Sequence, residues 1–226
     1  MMSYLNELLF GLYPYVAGAV FLIGSWVRYD REQFTWRAGS SQMLRSAGMR
    51  RASNLFHVGI LMIFFGHLVG LLTPHAVYEV FLTSAAKQKL AITFGGIAGV
   101  MCWIGAFSLF KRRLTDPRVR NTGSRNDLLV IALLLAQVTL GLLTILPSLG
   151  HMDGSVMLQL AAWAQAIVTF QGGAAAHIAD VNVLYKIHIL LGLTLFLIFP
   201  FTRLVHVWSV PVKYLARSYQ IVRARG

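Results

Sequence analysis

The sequence predicts an all-α integral membrane protein, a bundle of five transmembrane helices. Hydrophobic residues make up 57% of the 226-residue chain and charged residues only 12%, and the mean hydropathy is +0.64. Soluble domains carry about 25% charged residues, so this composition excludes an ordinary soluble fold. A helix needs roughly 20 apolar residues to cross the hydrocarbon core. Five such runs occur, at residues 4–27, 52–73, 89–110, 127–147 and 184–209.

The basic residues fall into loops on alternate sides of these runs. They crowd residues 28–51, 111–125 and 213–225, whereas the loops after the second and fourth runs carry only three lysines. Cationic residues near membrane ends accumulate in the cytoplasm. We therefore expect a multi-pass membrane protein with its N-terminus outside the cytoplasm and a cytoplasmic tail at 210–226. The net charge of +12 then reflects topology, contact with lipid headgroups and docking of a cytoplasmic partner, and nucleic-acid binding is not expected.

The remaining sequence features predict one membrane domain over residues 1–226. The single cysteine, Cys102, lies inside the third run. It excludes an internal disulfide and a thiolate metal cluster, so we expect it to be a packing residue. Residues 154–170 form a weakly amphipathic segment that is expected to lie in the outer interface.

Four of the seven histidines lie inside the predicted spans, where polar side chains are costly and usually functional. His57 and His67 belong to the second run, and His188 and His206 belong to the fifth. The other three are expected to be interfacial or loop residues: His75, His151 and His177.

The two runs that carry these histidines are antiparallel, so depth decides which residues can meet. At about 1.5 Å per residue, His57 and His206 lie about 9 and 10 Å from the basic residues that flank their runs. His67 and His188 lie about 24 and 37 Å away, a difference that tilt, a bend at Pro200 or later non-helical residues must absorb. The crossed pairing mismatches by roughly 28 and 14 Å. We therefore expect His57 to pair with His206 and His67 with His188.

Two stacked histidine pairs, one toward each membrane face, are what axial ligation of two b-type haems requires. No C-x-x-C-H motif is present, so attachment would be noncovalent. The alternatives are interhelical hydrogen bonds and a proton path, as in a haem-free proton channel or transporter. The sequence has neither the inverted repeat nor the paired broken helices that would favour a transporter.

Two cations at the rims of the spans each have two interpretations. Arg203 lies three residues before His206, on a neighbouring helical face. Its guanidinium is expected to bind either a haem propionate or a lipid phosphate. Lys87 precedes the third run, and composition alone favours a headgroup anchor there.

Five long motifs resemble one known family. They are LYPYVAGAVFLIGSWVRYD, QFTWRAGSSQML, SNLFHVGILMIFFGHLVGLLTPH, HMDGS and FPFTRLVHVWSVPVKYLARSYQIVRAR. These segments are similar to the gamma subunit of the bacterial respiratory nitrate reductase, and the similarity covers nearly the whole chain. That subunit is a di-haem cytochrome b, so the resemblance implies a multi-pass location in the bacterial inner membrane with a periplasmic N-terminus. The subunit oxidises quinol from the quinone pool at the outer face and passes electrons through two haems to an iron–sulfur beta subunit. A molybdenum-containing alpha subunit then reduces nitrate.

The resemblance also implies roles for single residues. It implies that His57 and His206 ligate the inner haem, and that His67 and His188 ligate the outer haem. Lys87 aligns with the lysine implicated in the family's quinol site.

Three further expectations complete this interpretation. Gly66, next to an axial ligand, would leave room for the quinol ring. The basic inner loops and the tail would dock the beta subunit. A di-haem anchor of another quinone-linked oxidoreductase stays open as an alternative, because the haem scaffold does not specify the terminal acceptor.

Overall fold

A computed structural model describes residues 2–36, 41, 44 and 47–209, and within those residues it contains helices and no strand. The α-helices in chain order are α1 (Met2–Glu7), α2 (Tyr13–Arg31), α3 (Met49–Leu72), α4 (His75–Tyr78), α5 (Ser84–Thr115), α6 (Pro117–Thr122), α7 (Arg125–Leu143), α8 (Ile145–Leu149), α9 (Ser155–Val168) and α10 (Val183–Ile198). Five apolar spans in the described residues are long enough to cross a membrane: Tyr4–Arg31, Met49–Leu72, Ser84–Thr115, Arg125–Leu149 and Val183–Phe201. The prediction of an all-α protein with five spans is confirmed.

The spans alternate in direction, so the bundle has two chemically different ends. We call the end at which α3 and α7 begin the basic end, because Arg51, Arg125 and residues 111–113 lie there. The opposite end is the capped end, where α5 and α10 begin and α9 covers the bundle. Every candidate residue is described below by its position between these two ends.

The first span contains one wide turn, which a proline explains. Pro14 has no N–H, so the carbonyl of Phe10, four residues earlier, loses its α-helical donor. The chain accommodates the proline ring with a π-helical turn over Leu8–Leu12 before α2 begins. The indole of Trp163 on α9 donates its Nε1–H to that Phe10 carbonyl at 2.9 Å. The proline therefore creates the acceptor that ties α9 to the first span.

The closest helix pair in the bundle is α3 with α5, and small residues allow the approach. A Cβ built on Gly59 of α3 would lie 2.6 Å from the backbone nitrogen of Cys102. A Cβ built on Gly105 of α5 would overlap the backbone nitrogen of Phe56 and lie 2.8 Å from the carbonyl of Ala52. Backbones can come this close only where side chains are minimal. Cys102 is buried in this contact and is a packing residue, as its isolation in the sequence predicted.

The capped end holds the main hydrophobic core. Trp163 packs there with Phe10, Ile178 and Tyr185, and Gln165 donates its Nε2–H to the carbonyl of Leu71 at 2.9 Å. The segment predicted to lie in the outer interface therefore forms a helix that closes the bundle through buried side chains and hydrogen bonds.

The fifth span ends earlier than predicted. The sequence indicated one span over 184–209, but α10 ends at Ile198 and two short 3₁₀ segments follow, Phe199–Phe201 and Arg203–Trp208. Between them Thr202 is fully extended, with φ −122° and ψ 175°. Pro200 cannot continue the α-helical hydrogen bonds. Its carbonyl and that of Thr202 instead accept from Arg28 Nη1, at 2.5 and 2.9 Å.

The glycine contact between α3 and α5 can be tested with a matched pair of substitutions. Gly105→Ala forces a methyl group into the backbone of α3 and should destabilise the protein by about 1–3 kcal/mol. That loss would lower the unfolding temperature by about 2–4 °C per kcal/mol. Gly95→Ala on the same helix should be neutral or stabilising, because nothing lies within 4 Å of its Cβ position. Thermal unfolding followed with a thiol-reactive dye measures both variants, since Cys102 is the only cysteine and is buried. Equal melting temperatures for the two variants would contradict the contact.

Candidate functional site

His67 on α3 and His188 on α10 face each other toward the capped end. Their ring centroids are 6.2 Å apart and their planes are inclined by 40°. A metal bonded to one nitrogen of each ring at about 2 Å would keep the two centroids about 6 Å apart. His67 and His188 are also one of the two pairs expected from their depth in the membrane. The spacing therefore suits a single metal centre held between two helices.

Three of the four candidate ligand histidines are oriented by their own backbone. In each, the ring Nδ1 donates to a carbonyl oxygen three or four residues earlier. A carbonyl oxygen only accepts, so Nδ1 carries the proton and the neutral ring keeps a lone pair on Nε2. That is the form that binds a metal through Nε2. The three bonds are His57 to Ser53 at 2.7 Å, His67 to Ile63 at 2.9 Å and His206 to Arg203 at 2.6 Å.

His188 is positioned by α7 instead. Gln137 Nε2 donates to the backbone carbonyl of His188 at 3.1 Å, and a Cβ on Gly141, one turn after Gln137, would lie 3.0 Å from Cε1 of the ring. A Cβ on Gly192 would in turn lie 3.1 Å from Gln137 Nε2. His188 Nδ1 and Gln137 Oε1 are both buried without a hydrogen-bond partner among the described residues. The sequence analysis missed Gln137; the available signal was a polar residue in an apolar helix, four positions before a glycine.

The other predicted pair lies toward the basic end without meeting. His57 is on the first half of α3, and His206 is in the 3₁₀ segment beyond α10. Among the described residues these two rings form no contact with each other, and His57 packs edge-on against Phe56 at 5.1 Å. Within the same residues no group of three or more metal-binding side chains comes together. Among the described residues, the candidate metal-binding arrangements are therefore pairs of histidines.

A carboxylate joins two arginines beside His206. Asp127, near the start of α7, lies 3.7 Å from Arg113 on α5 and 3.7 Å from Arg203 in the 3₁₀ segment. Burial lowers the pKa of Arg203; the Asp127 carboxylate opposes that shift and Arg113 adds to it. Because the Arg203 carbonyl accepts from His206, Asp127 is connected to the orientation of a candidate ligand. The sequence analysis did not identify Asp127 as a partner of Arg203.

Lys87 lies in the first turn of α5 at the capped end, over an aromatic ring. Its Nζ is 3.6 Å from the ring centroid of Tyr78. That ammonium is buried and has no hydrogen-bond partner among the described residues. An exposed headgroup anchor would extend into solvent, whereas this cation is held by a π face, an interaction worth up to about 2 kcal/mol when desolvated. The Cβ position of Gly66, next to His67, has open space within 4 Å.

Sequence comparison places the chain in one family. The family model described as nitrate reductase gamma subunit matches residues 6–225. The chain belongs to this family. The gamma chain of respiratory nitrate reductase 1 of Escherichia coli is 58% identical over 224 residues, which are 99% of this chain and 100% of that protein. The gamma chain of respiratory nitrate reductase 2 of the same organism is 54% identical, with 100% of both chains covered.

A more distant member of the family matches over the same length. The nitrate reductase gamma chain of Bacillus subtilis is 36% identical over 222 residues, 98% of this chain and 99% of that protein. Each candidate residue described above lies inside the range that the family model matches. The C-terminal tail predicted to dock a partner, residues 210–226, lies outside the described residues.

Asp127→Asn tests whether this carboxylate holds the segment that carries His206. Each partly buried ion pair contributes about 1 kcal/mol or less, so its loss should speed local opening of residues 203–208 about threefold. Hydrogen exchange of that peptide, followed by mass spectrometry, measures the change. Asp180→Asn, at an exposed site of the capped end, is the matched control and should leave the exchange of residues 203–208 unchanged. Unchanged exchange in Asp127→Asn would show that the cluster does not hold the segment.

Proposed function

We propose that this chain is the membrane subunit of a bacterial respiratory nitrate reductase. It oxidises quinol at the capped end, which faces the periplasm, and delivers the electrons at the basic end. There an iron–sulfur beta subunit receives them for a molybdenum-containing alpha subunit, which reduces nitrate. Family membership and the full-length similarity to respiratory nitrate reductase gamma chains support this proposal. Those relatives also favour nitrate reductase over another quinone-linked oxidoreductase, and no contact in the described residues favours a haem-free channel.

The observation that carries the proposal is the ring pair of His67 and His188, 6.2 Å apart. We assign to this pair the binding of one noncovalent haem b, whose iron His67 and His188 would ligate and which would supply reversible one-electron carriage. His67 Nδ1 is bonded to the Ile63 carbonyl, which leaves Nε2 available to bind a metal. Gly141 leaves space for the His188 ring. The 6.2 Å spacing of the two rings fits the group.

We assign His57 and His206 to a second haem b at the basic end. Their rings have the same ligand-ready tautomer, although the described residues do not bring them into contact. Among the described residues, Arg113 and Arg203 both lie against the carboxylate of Asp127. Guanidinium groups beside His206 suit a haem propionate.

We assign quinol binding to the open face beside Gly66 and to Lys87. A buried ammonium with spare donors can donate to a quinol oxygen and stabilise the negative charge that forms as a hydroxyl proton leaves. The Tyr78 ring keeps that ammonium at the capped end of α5.

Substitution of the four histidines tests the haem assignments. His67→Ala and His188→Ala should each remove the same one of two haems, and His57→Ala and His206→Ala should each remove the other, because each iron needs both axial nitrogens. Haem stoichiometry and reduced-minus-oxidised spectra measure this. His151→Ala, in an exposed loop, should keep both haems. Loss of the same spectral component in His57→Ala and His67→Ala would disprove the pairing.

Lys87→Ala should reduce quinol-dependent haem reduction by about 100-fold, the size expected when a charge-stabilising donor is removed. Both haem spectra should be retained. Lys89→Ala, two residues later and exposed, is the control and should oxidise quinol normally.

Nitrate reduction separates the quinol site from the rest of the complex. In the Lys87→Ala complex, an artificial donor that reduces the cytoplasmic subunits directly should still drive nitrate reduction at the normal rate. A normal quinol rate in Lys87→Ala would leave Lys87 as an interfacial anchor. A wild-type complex that oxidises quinol but does not reduce nitrate would contradict the assigned acceptor.

A further inference from the structure

A chain of hydrogen bonds leads from the ring beneath Lys87 to the surface of the capped end. The Tyr78 hydroxyl lies 3.4 Å from Ser84 Oγ, and Ser84 Oγ lies 3.2 Å from His75 Nε2. His75 Nδ1 lies 3.0 Å from Glu79 Oε2. The side chains of His75 and Glu79 are 43% and 61% exposed, so the chain starts beside a buried cation and ends in solvent.

The direction of each hydrogen bond in this chain follows from the carboxylate at its exposed end. An ionised carboxylate only accepts, so His75 donates from Nδ1 to Glu79 and keeps a lone pair on Nε2. That lone pair accepts from the Ser84 hydroxyl, whose oxygen is then left to accept from the Tyr78 hydroxyl. Every donor therefore points outward, the order that lets a proton entering at Tyr78 displace one at Glu79.

Packing holds the residues of this hydrogen-bonded chain in place. His75 and Tyr78 are in the single turn of α4, and their rings meet nearly edge to face with centroids 5.2 Å apart. Ser84 is the first residue of α5 and is covered by Gly154, where a Cβ would lie 2.7 Å from the Ser84 carbonyl oxygen. Gly154 also has a φ of +84°, which other residues rarely adopt. A loop that lies much later in the sequence thus fixes Ser84, the middle residue of the hydrogen-bonded chain.

We propose that Tyr78, Ser84, His75 and Glu79 form the route by which quinol protons leave the protein. The inference rests on the proposed function, because it requires quinol beside Lys87. Oxidation of one quinol to quinone releases two electrons and two protons; the haem that His67 and His188 would hold would take up the electrons one at a time and pass each on toward the basic end. Each proton moves as a quinol O–H bond breaks and the Tyr78 oxygen gains it.

The transfer then passes outward one bond at a time. Tyr78 gives its own proton to Ser84, Ser84 gives its proton to His75 Nε2, and His75 Nδ1 gives its proton to Glu79, which releases it to water. Rotation of the two hydroxyl groups, with return of the imidazole to its first tautomer, resets the chain for the second proton.

The test measures haem reduction by tetramethylbenzoquinol in the membrane-bound complex. Tyr78→Phe keeps the ring beneath Lys87 and removes only the hydroxyl, and His75→Ala removes the imidazole. Each should slow quinol oxidation about tenfold or more while both haem spectra remain unchanged. Added imidazole should restore a large part of the rate in His75→Ala, because the site is open to solvent. His177→Ala, an exposed histidine elsewhere at the capped end, should oxidise quinol normally.

The outcomes distinguish this route from the quinol site itself. If Lys87→Ala is slow while Tyr78→Phe and His75→Ala have wild-type rates, the proton route is wrong and the quinol site stands. If Lys87→Ala has a wild-type rate, the assigned quinol site is wrong, and the proton route, which requires quinol at that site, is wrong as well. A slow His75→Ala variant with altered haem spectra and no response to imidazole would indicate structural damage and overturn the proton role.

Discussion

The architecture depends on one constraint: inside hydrocarbon, a polar atom must find its partner within the chain. Water is absent there, and each unpaired backbone group costs several kcal/mol. At several positions the structure meets this requirement by pairing side chains with backbone carbonyls, whereas Lys87 Nζ and His188 Nδ1 are buried without a hydrogen-bond partner among the described residues. His67 bonds to Ile63, and Arg28 bonds to the carbonyls exposed where α10 is broken. The same bonds that avoid this cost also fix the imidazole tautomers, so stability and the chemistry of the candidate site have a common origin.

Hydropathy and depth predicted much of this arrangement. The five spans follow from apolar length, because the thickness of the hydrocarbon core fixes how many residues must be apolar. The approach of His67 to His188 follows from the antiparallel directions of their helices. The depth difference that required a bend has a physical source at Pro200. Ile198, where α10 ends, lies ten residues after His188, about 15 Å along the helix. His57 and His67 on α3 are separated by the same distance, so α10 breaks after a length that matches the spacing of the two histidines on α3.

Features that depend on helix rotation or on single side-chain contacts were not predictable from the sequence. Hydropathy does not show which face of α7 meets α10, so the contacts of His188 with Gln137 and Gly141 were not predicted. The π face beneath Lys87 comes from Tyr78 on a one-turn helix, which has too few residues for a periodic signal. Asp127 looked like an ordinary residue in the first turn of a helix, and only the broken chain after α10 brings Arg203 to it.

The missing N–H of Pro14 affects the order of biogenesis. Proline removes the α-helical donor of the Phe10 carbonyl, and the side-chain donor of that carbonyl, Trp163, lies 153 residues later in the sequence. During synthesis the ribosome delivers the first span to the bilayer long before α9 exists. The newly inserted helix therefore lacks this side-chain donor through most of translation. Closure of the capped end over Phe10 is accordingly a late, post-insertion event, and it favours the complete bundle over partly assembled chains.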